Sequence, residues 1–259
     1  MNDIEVSVIM PAFNCARYIR TAVDSALIQN VSLEVIIVDD CSTDDLHKVL
    51  TYYKDDSRIR LIKNEKNLGV SRSRNRGVSL ARGKYIAYLD ADDQWLPGKL
   101  EKQLRLIKKT NLVLCSTARE LMDADGTPTG QILPTKEIIT YADLKLQNLI
   151  NCSSVLIRTE VAREFPMHYD DGHEDYLMWL EVLEKYGKSC AVNEPLLRYR
   201  LSSTGKSGTK MHSARMTFRT YRHKGYNFFE SCVYFISYAL HGTAKYLKAE
   251  VLSFVDRRK

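Results

Sequence analysis

The sequence lacks the features that mark several common classes of protein. It has no run of roughly 18 apolar residues, so no membrane-spanning helix is predicted. It has no HExxH pair, no GxGxxG fingerprint and no Walker A loop. The first residues carry Asp3 and Glu5 and lead into a strand-like run, which is unlike a secretory signal and predicts a cytoplasmic protein. The six cysteines include no CxxC pair, which is typical of reduced thiols and indicates neither a disulfide frame nor a zinc site.

The composition indicates a packed globular protein with an uneven distribution of charge. The 259 residues are 44% hydrophobic and 27% charged, which excludes a collagen, a disordered chain and a coiled coil. Residues 205–259 hold 11 Lys and Arg against 3 Asp and Glu, a balance of +8. Residues 1–204 hold 27 against 29, a balance of −2. We therefore predict a nearly neutral body over 1–204 and a basic extension over 205–259 that meets an anionic partner.

Apolar runs and helical patterns alternate through the first half of the chain. The strand-like runs cover residues 6–10, 34–38, 58–62, 84–89 and 111–115, and the helical patterns cover 16–28, 44–54, 70–82, 98–109 and, further on, 174–186. This order predicts an α/β fold with a Rossmann-like, mostly parallel central sheet flanked by helices. The pattern weakens over 117–140, where Asp123–Gly126 predicts a turn.

Polar or conformationally restricted segments follow three of the predicted strands. They are Pro11-Ala12-Phe13-Asn14, Asp39-Asp40 and Asp90-Ala91-Asp92-Asp93. Ligands of open α/β sheets bind beyond the carboxyl ends of the strands, so these segments predict one site. The alternative for Asp39 and Asp40 is helix capping or turn formation. Three carboxylates at 90, 92 and 93 repel one another unless protons or a cation intervene, which indicates Mn²⁺ or Mg²⁺ together with a diphosphate.

Two later segments offer groups of complementary chemistry. Arg72, Arg74 and Arg76 surround a helix start, with Arg72 and Arg76 on one face and Arg74 on another. They could hold a diphosphate, and the alternative for at least one of them is a solvated basic face. Glu174 and Asp175 open a helix, where either carboxylate could simply stabilise the helix start. Two adjacent carboxylates exceed that need, and one of them could act as a general base.

Taken together, these segments resemble the bacterial family 2 glycosyltransferases of the GT-A fold. The resemblance covers roughly residues 5–204 and consists of the segments Val6–Asn14, Ile36–Asp44, Asn67–Gly77, Tyr88–Asp93 with Pro97, Glu174-Asp175 and Tyr199-Arg200. Cys41 stands where Gly or Ala is commoner in the family, and Ser73 stands in the place of an Ala. The resemblance implies a nucleotide-binding half over 1–116 and an acceptor-side half over 117–204.

The resemblance also implies a reaction and its participants. A sugar would be transferred with inversion from a nucleotide-diphosphate donor, most often UDP-linked, with the help of Mn²⁺ or Mg²⁺. The acceptor would be a hydroxyl of a glycan or a lipid-linked saccharide, in the synthesis of a cell-surface polysaccharide. The alternatives are a non-catalytic module that binds a nucleotide sugar and a nucleotidyltransferase that makes one. Nucleic acid is not expected as a partner, because no nucleic-acid module accompanies the basic extension.

The resemblance assigns roles residue by residue. The nucleoside part of the donor would be bound by Pro11, Ala12, Phe13, Asn14 and Asp39, and Arg74 would approach the diphosphate. Asp90 and Asp92 would serve the ribose and the metal, with Asp92 or Asp93 as the direct metal ligand. The catalytic base would be Asp175, which stands beside Glu174. A further basic residue near the diphosphate could be Arg200, Lys206 or Lys210. Selection of the donor sugar could involve contacts near 151–154.

The basic extension is rich in aromatic residues. Residues 211–259 carry 10 of the 24 aromatics of the chain, and Ser231–Leu240 is an uncharged stretch between basic residues. We predict helices here. They could lie at an anionic membrane surface, on the inner face of the cytoplasmic membrane. Alternatively, they could pack on the catalytic domain or on a second subunit of a homo-oligomer.

Overall fold

The structure, a computed structural model, describes residues 3–201 and 210–256. The strands are β1 (Val6–Ala12), β2 (Leu33–Asp39), β3 (Ile59–Lys63), β4 (Tyr85–Tyr88), β5 (Gln94–Trp95), β6 (Leu114–Met122), β7 (Pro128–Leu133), β8 (Ile138–Thr140), β9 (Leu156–Arg158) and β10 (Lys188–Arg200). The α-helices are α1 (Ile19–Leu27), α2 (Leu46–Leu50), α3 (Val70–Leu80), α4 (Lys99–Thr110), α5 (Tyr141–Leu146), α6 (Thr159–Glu164), α7 (Glu174–Tyr186), α8 (Lys210–His223) and α9 (Phe228–Asp256). Thr51–Tyr53 and Cys152–Ser154 form 3₁₀ turns.

The strands form one mixed sheet in the order β3-β2-β1-β4-β9-β6-β10-β5, with β7 paired to β6 and β8 paired to β10. The parallel pairing that the sequence predicts is found between β3 and β2, between β2 and β1, between β1 and β4, and between β6 and β10. Strand β9 runs antiparallel to both β4 and β6, and β7 pairs with β6 as a hairpin around the predicted turn at Asp123–Gly126. A hairpin needs only a short turn, whereas a parallel connection needs a crossover. The α/β class with flanking helices is confirmed.

The core lies on both faces of the sheet. Strands β1 and β2 are buried on both sides, which is why their sequences read as continuous apolar runs. One face packs against α1, α2 and α4 through residues such as Ile19, Leu46 and Leu104. The other face packs against α3, α5, α6 and α7, and Trp179 of α7 lies fully buried there beside Tyr88.

The predicted C-terminal helices are present as α8 and α9, and one face of each packs on the body. Tyr221 of α8 is fully buried and contacts Tyr176 of α7, and Tyr238 of α9 contacts the same ring. Packing on the catalytic body, one of the alternatives considered above, is therefore part of their role. Among the residues that the structure describes, no helix combines the length and apolar character needed to cross a membrane. The domain boundaries at 1–204 and 205–259 stay a prediction.

Candidate active site

The segments that follow β1, β2 and β4 meet at one edge of the sheet. Ala12 pairs with Asp39 in the β1–β2 register, and the Asp40 N–H donates to the Ala12 carbonyl at 2.8 Å. On the other side of β1, the Leu89 N–H donates to the Ile9 carbonyl at 3.0 Å. Asp90 therefore emerges at the same edge as Asp39, as the strand-end rule predicts.

The loops after β1 and β2 are tied to each other. The Asn14 N–H donates to the Ser42 hydroxyl at 3.0 Å, and the Asn14 side-chain oxygen accepts from the Thr43 N–H at 2.8 Å. The Phe13 ring is half-exposed above this junction, and Pro11 is half-buried within β1. Cys41 has φ 66, a left-handed conformation that favours glycine. Of the two residues that are commoner at this position in the family, Gly and Ala, this backbone suits Gly.

Asp39 is fully buried at the end of β2. Its carboxylate accepts from the Ser42 N–H and bonds to Nε2 of His47, both at 2.8 Å. Burial acts to raise the pKa of Asp39, but the hydrogen bonds from Ser42 and His47 outweigh burial and hold that pKa below its usual value. His47 is a site residue that the sequence analysis missed, since nothing in the local pattern links it to Asp39.

Asp40 anchors a neighbouring loop. Its carboxylate accepts from the Asn64 side chain at 2.7 Å and from the N–H groups of Leu68 and Gly69 at 2.8 Å. Gly69 has φ 89, and a Cβ there would lie 2.1 Å from an Asp170 oxygen, so only glycine fits. Asp40 therefore acts as an anchor between loops, and the local turn bond considered for this pair is the one that Asp39 accepts from the Ser42 N–H.

Arg74 of α3 is the cation at the centre of the site. Its guanidinium is buried and donates to Asp90 at 2.5 Å and to Glu174 at 2.6 Å. Burial alone would lower the pKa of Arg74, but Asp90 and the two carboxylates of α7 hold it well above its usual value. By contrast, Arg72 and Arg76 are exposed, as the helical spacing predicts for a face that excludes Arg74. Arg74 thus joins α3, the end of β4 and the start of α7.

Asp175 lies next to this network at the first turn of α7. Burial first, and then the neighbouring Glu174, raise the pKa of Asp175 from 3.8 to about 7. Its carboxylate accepts a local hydrogen bond from the Tyr176 N–H at 2.8 Å. A carboxylate with a pKa near neutrality suits a general base. Glu174 serves a different purpose, because its carboxylate is committed to Arg74.

The acidic segment after β4 divides into residues with different surroundings. Asp90 faces Arg74, and its N–H donates to the Ser153 hydroxyl at 3.1 Å. Asp92 is half-buried, and burial together with Asp90 raises its pKa to about 6. Asp93 is buried, and its carboxylate accepts from the Arg200 N–H at 3.0 Å. Burial, Asp92 and Asp90 raise the pKa of Asp93 well above its usual value.

Asp39 and Asp92, which were predicted to serve the nucleoside and the metal, lie in one electrostatic neighbourhood. The pKa of the buried Cys15 thiol is raised to about 12, by burial first and then by carboxylates that include Asp92 and Asp39. The pKa of Asp175 responds to Asp90 and Arg74. The residues predicted from separate segments therefore surround a common region.

Arg200, one of the three candidates for a further contact to the diphosphate, is already engaged. Its side chain donates to the carbonyls of Asp92 at 2.8 Å and Ala124 at 3.0 Å, and it stacks over the Tyr18 ring at 4.4 Å. It thus braces the acidic segment from behind. Lys206 lies outside the described residues.

The donor set after β4 fits a divalent cation that also binds a phosphate. Within the described ranges, no group of three or more His, Cys, Asp or Glu side chains is arranged to hold a metal ion on its own. Mg²⁺ typically takes one or two carboxylates and completes its shell with water and substrate phosphates. Asp92 suits this mode, since its half-buried carboxylate has a raised pKa and lies beside Asp90. The burial of Asp93 and its bond to Arg200 favour a bracing role, and a metal role for Asp93 stays a prediction.

A Rossmann-like sheet carries an acid-rich cluster at its strand ends, and Asp175, a carboxylate of raised pKa, lies beside that cluster, an arrangement compatible with a transferase that uses a nucleotide-linked donor. Residues 7–164 match the sequence profile of the family described as Glycosyl transferase family 2. The Bacillus subtilis protein TuaG, named as a teichuronic acid biosynthesis glycosyltransferase, is 36% identical over 245 residues, which cover 93% of this chain and 97% of TuaG. The chain belongs to glycosyl transferase family 2 and is a glycosyltransferase.

A second relative and two solved structures extend the comparison. The Escherichia coli protein WfaP, named UDP-Glc:alpha-D-GlcNAc-diphosphoundecaprenol beta-1,3-glucosyltransferase, is 33% identical over 254 residues and covers 98% of both chains. Staphylococcus aureus TarS, solved with UDP-GlcNAc, superposes with a TM-score of 0.69 at 18% identity over 84% of this chain and 65% of TarS. The Pyrobaculum calidifontis mannosyltransferase PcManGT, solved with GDP-Man and Mn²⁺, superposes at 0.66 with 17% identity over 85% of this chain and 63% of PcManGT. The predicted GT-A fold is confirmed.

Proposed function

We propose that the protein transfers a sugar, with inversion, from a UDP-linked donor to a hydroxyl of a lipid-linked saccharide in cell-surface polysaccharide synthesis. The observation that carries the proposal is the convergence of Asp39, Asp90 and Asp92 with Asp175, whose pKa is about 7. The full-length similarity to TuaG and WfaP supports the acceptor class and the pathway. The UDP-Glc in the name of WfaP supports a uridine donor.

The residues of the nucleotide-binding half would hold the donor. Asp39 is kept ionised by Ser42 and His47, and it would accept a hydrogen bond from the base of the nucleotide if the donor displaced the His47 side chain, which is 46% exposed. The half-exposed Phe13 ring offers a face against which the base can stack. The Asp90 carboxylate is held by Arg74 through one oxygen, its backbone N–H is held by Ser153, and its second oxygen would serve the ribose of the donor. Asp92 would be the protein ligand of Mn²⁺ or Mg²⁺, and the bound cation would neutralise charge that develops on the departing diphosphate.

The residues at the start of α7 would act on the acceptor. Asp175 would take the proton from the attacking hydroxyl, and its raised pKa matches that role at neutral pH. Inversion follows because a single displacement needs no nucleophile from the protein. Glu174 would position Arg74, and through Arg74 also Asp90, so that the donor side and the acceptor side share one rigid connection.

A turnover assay tests the proposal. The enzyme is incubated with Mn²⁺, a panel of UDP- and GDP-sugars and a glycosyl-diphosphate lipid acceptor, and release of the nucleoside diphosphate is measured. We expect turnover with a UDP-sugar and loss of turnover in Asp92→Asn. Asp55→Asn, which changes an exposed aspartate remote from the site, is the matched control and retains turnover. Binding of a UDP-sugar without turnover would favour the non-catalytic module, and full activity of Asp92→Asn would remove the metal role.

A further inference from the structure

One face of α9 carries an exposed apolar stripe. Phe229, Val233, Ile236 and Leu240 are exposed to 81%, 62%, 58% and 67%. These residues are three or four positions apart, so they lie on the same side of the helix. These four residues form the apolar stripe of α9.

The opposite face of α9 already makes the contacts that hold the helix in place. Ser231 is fully buried, and Tyr234, Phe235 and Tyr238 pack against the core of the body. The Tyr234 ring lies 5.7 Å from that of Tyr221. The apolar stripe is therefore not needed for packing within the chain. Contiguous exposed apolar surface of this kind marks a binding surface.

The charge around the apolar stripe indicates what it binds. The segment 210–242 holds five Lys and Arg and one Glu. Arg215, Arg219 and Arg222 of α8 are exposed, and α8 packs against α9 through Phe218, whose ring contacts those of Phe228 and Phe235. An apolar face beside a basic helix is the composition of a helix pair that lies in the interface of an anionic bilayer.

A second copy of the chain fits this surface less well. A two-fold interface brings the same patch of both copies together. Two basic segments would then face each other, and like charges in contact oppose association. An anionic lipid surface has no such conflict, since its headgroups neutralise the same charges.

We propose that the apolar stripe inserts into the headgroup region of an anionic lipid bilayer, with the cations of α8 on the lipid phosphates. This inference rests on the proposed function, because a lipid-linked acceptor is itself held at such a surface. The pair formed by α8 and α9 is connected to the segment that carries the proposed general base, Asp175. The Thr220 hydroxyl of α8 accepts from the N–H of His173, the residue directly before α7, at 2.9 Å. Docking through this helix pair would bring the base side of the site towards the layer that holds the acceptor.

A vesicle-binding experiment with the full chain tests the inference. Sedimentation with phosphatidylglycerol vesicles is compared with sedimentation with phosphatidylcholine vesicles. We expect the wild type to bind the anionic vesicles, less tightly as NaCl is raised. Ile236→Glu should lower the partition coefficient by about tenfold or more, because a charge replaces an inserted apolar side chain. Ile28→Glu is the matched control, because Ile28 is also 58% exposed but lies directly after α1, and this variant should bind as the wild type does.

The alternative outcomes are distinct. Wild-type-like vesicle binding by Ile236→Glu, or no vesicle binding by the wild type, would overturn the inference. A wild-type dimer in light scattering that Ile236→Glu dissociates, without any vesicle binding, would assign the apolar stripe to a second copy. Transfer to a short-chain, water-soluble acceptor is measured in parallel for every variant. If the proposed function fails, transfer is absent while vesicle binding remains, and if the docking inference fails, transfer remains while vesicle binding is absent or unchanged by Ile236→Glu.

Discussion

The sheet carries a buried charged cluster at each end, and the two clusters have opposite balances of charge. At the amino end, Glu34 is buried and accepts from the Ser7 hydroxyl at 2.7 Å, from Arg60 at 3.0 Å and from Arg82 at 2.7 Å. At the carboxyl end, one buried arginine, Arg74, serves several carboxylates. The amino-end cluster has more cations than acids, and the carboxyl-end cluster has more acids than cations.

This difference separates a structural cluster from a functional one. Burial acts to raise the pKa of Glu34, but the bonds from Arg82, Ser7 and Arg60 outweigh it and lower that pKa. At the carboxyl end the pKa values of Asp92 and Asp175 are raised, first by burial and then by neighbouring carboxylates, and Arg74 and Arg200 do not offset these effects. An excess of buried acid does not stabilise the fold, and it indicates a site completed by a ligand or a proton.

The largest expected difference between the clusters is in catalysis. Asp175→Asn removes the base, and we expect kcat to fall by about 10²–10⁴ with the donor KM little changed. Glu34→Gln should leave the kcat of the folded enzyme unchanged, because the Glu34 cluster lies at the opposite end of the strands. Steady-state kinetics with varied donor measures both values. Normal turnover in Asp175→Asn would reassign the base.

The second difference is in stability. Arg74→Met leaves the buried Glu174 and the half-buried Asp90 without their cation, a loss of about 3–5 kcal/mol. Glu34→Gln should cost less, about 1–3 kcal/mol, because the Arg60 and Arg82 side chains are 30% and 57% exposed and can be hydrated. Urea unfolding of the donor-free protein measures both free energies. Equal losses would mean that the two clusters are held in the same way.

Much of the carboxyl-end cluster could be predicted from the sequence because it follows strand ends. The boundaries of α7 match the predicted 174–186, and the apolar runs of β1 and β2 placed Pro11 and Asp39 at the same edge. In contrast, β7 was missed, since its sequence Pro128–Leu133 has few apolar residues and alternates only weakly. The Arg74–Glu174 pair joins residues 100 positions apart, and no local periodicity records such a contact.

The third difference is in pH dependence, and it depends on Asp175. A base with its pKa near 7 is protonated below that pH, so kcat should rise as pH increases through about 7 and then level off. Glu174→Gln removes a negative charge that raises the pKa of Asp175, so the midpoint should move to lower pH. A kcat–pH profile of both proteins gives the two midpoints.

Contradictory profiles would be informative in different ways. A midpoint that does not move in Glu174→Gln would mean that a group other than Asp175 controls the profile. A kcat that rises as pH falls would require an acid in place of the base. Glu34→Gln is again the control, since the pKa of Glu34 is held below its usual value and Glu34 lies at the opposite end of the strands, so its replacement should leave the midpoint unchanged.

The smallest expected effect concerns how the two clusters are held. Glu34 is held by Ser7, Arg60 and Arg82, which all belong to the body. Asp175, the proposed base, follows a loop that α8 also holds, because the His173 N–H donates to the Thr220 hydroxyl. Thr220→Val removes that bond, worth about 1 kcal/mol, and should lower kcat about fivefold without changing donor binding. Thr217→Val is the matched control, because the buried Thr217 hydroxyl donates only within α8, to the Ser213 carbonyl at 3.0 Å. If Thr220→Val and Thr217→Val lowered kcat equally, the loss would come from a general perturbation of α8 and not from the bond to His173. The carboxyl-end cluster would then be held by the body alone, as the amino-end cluster is.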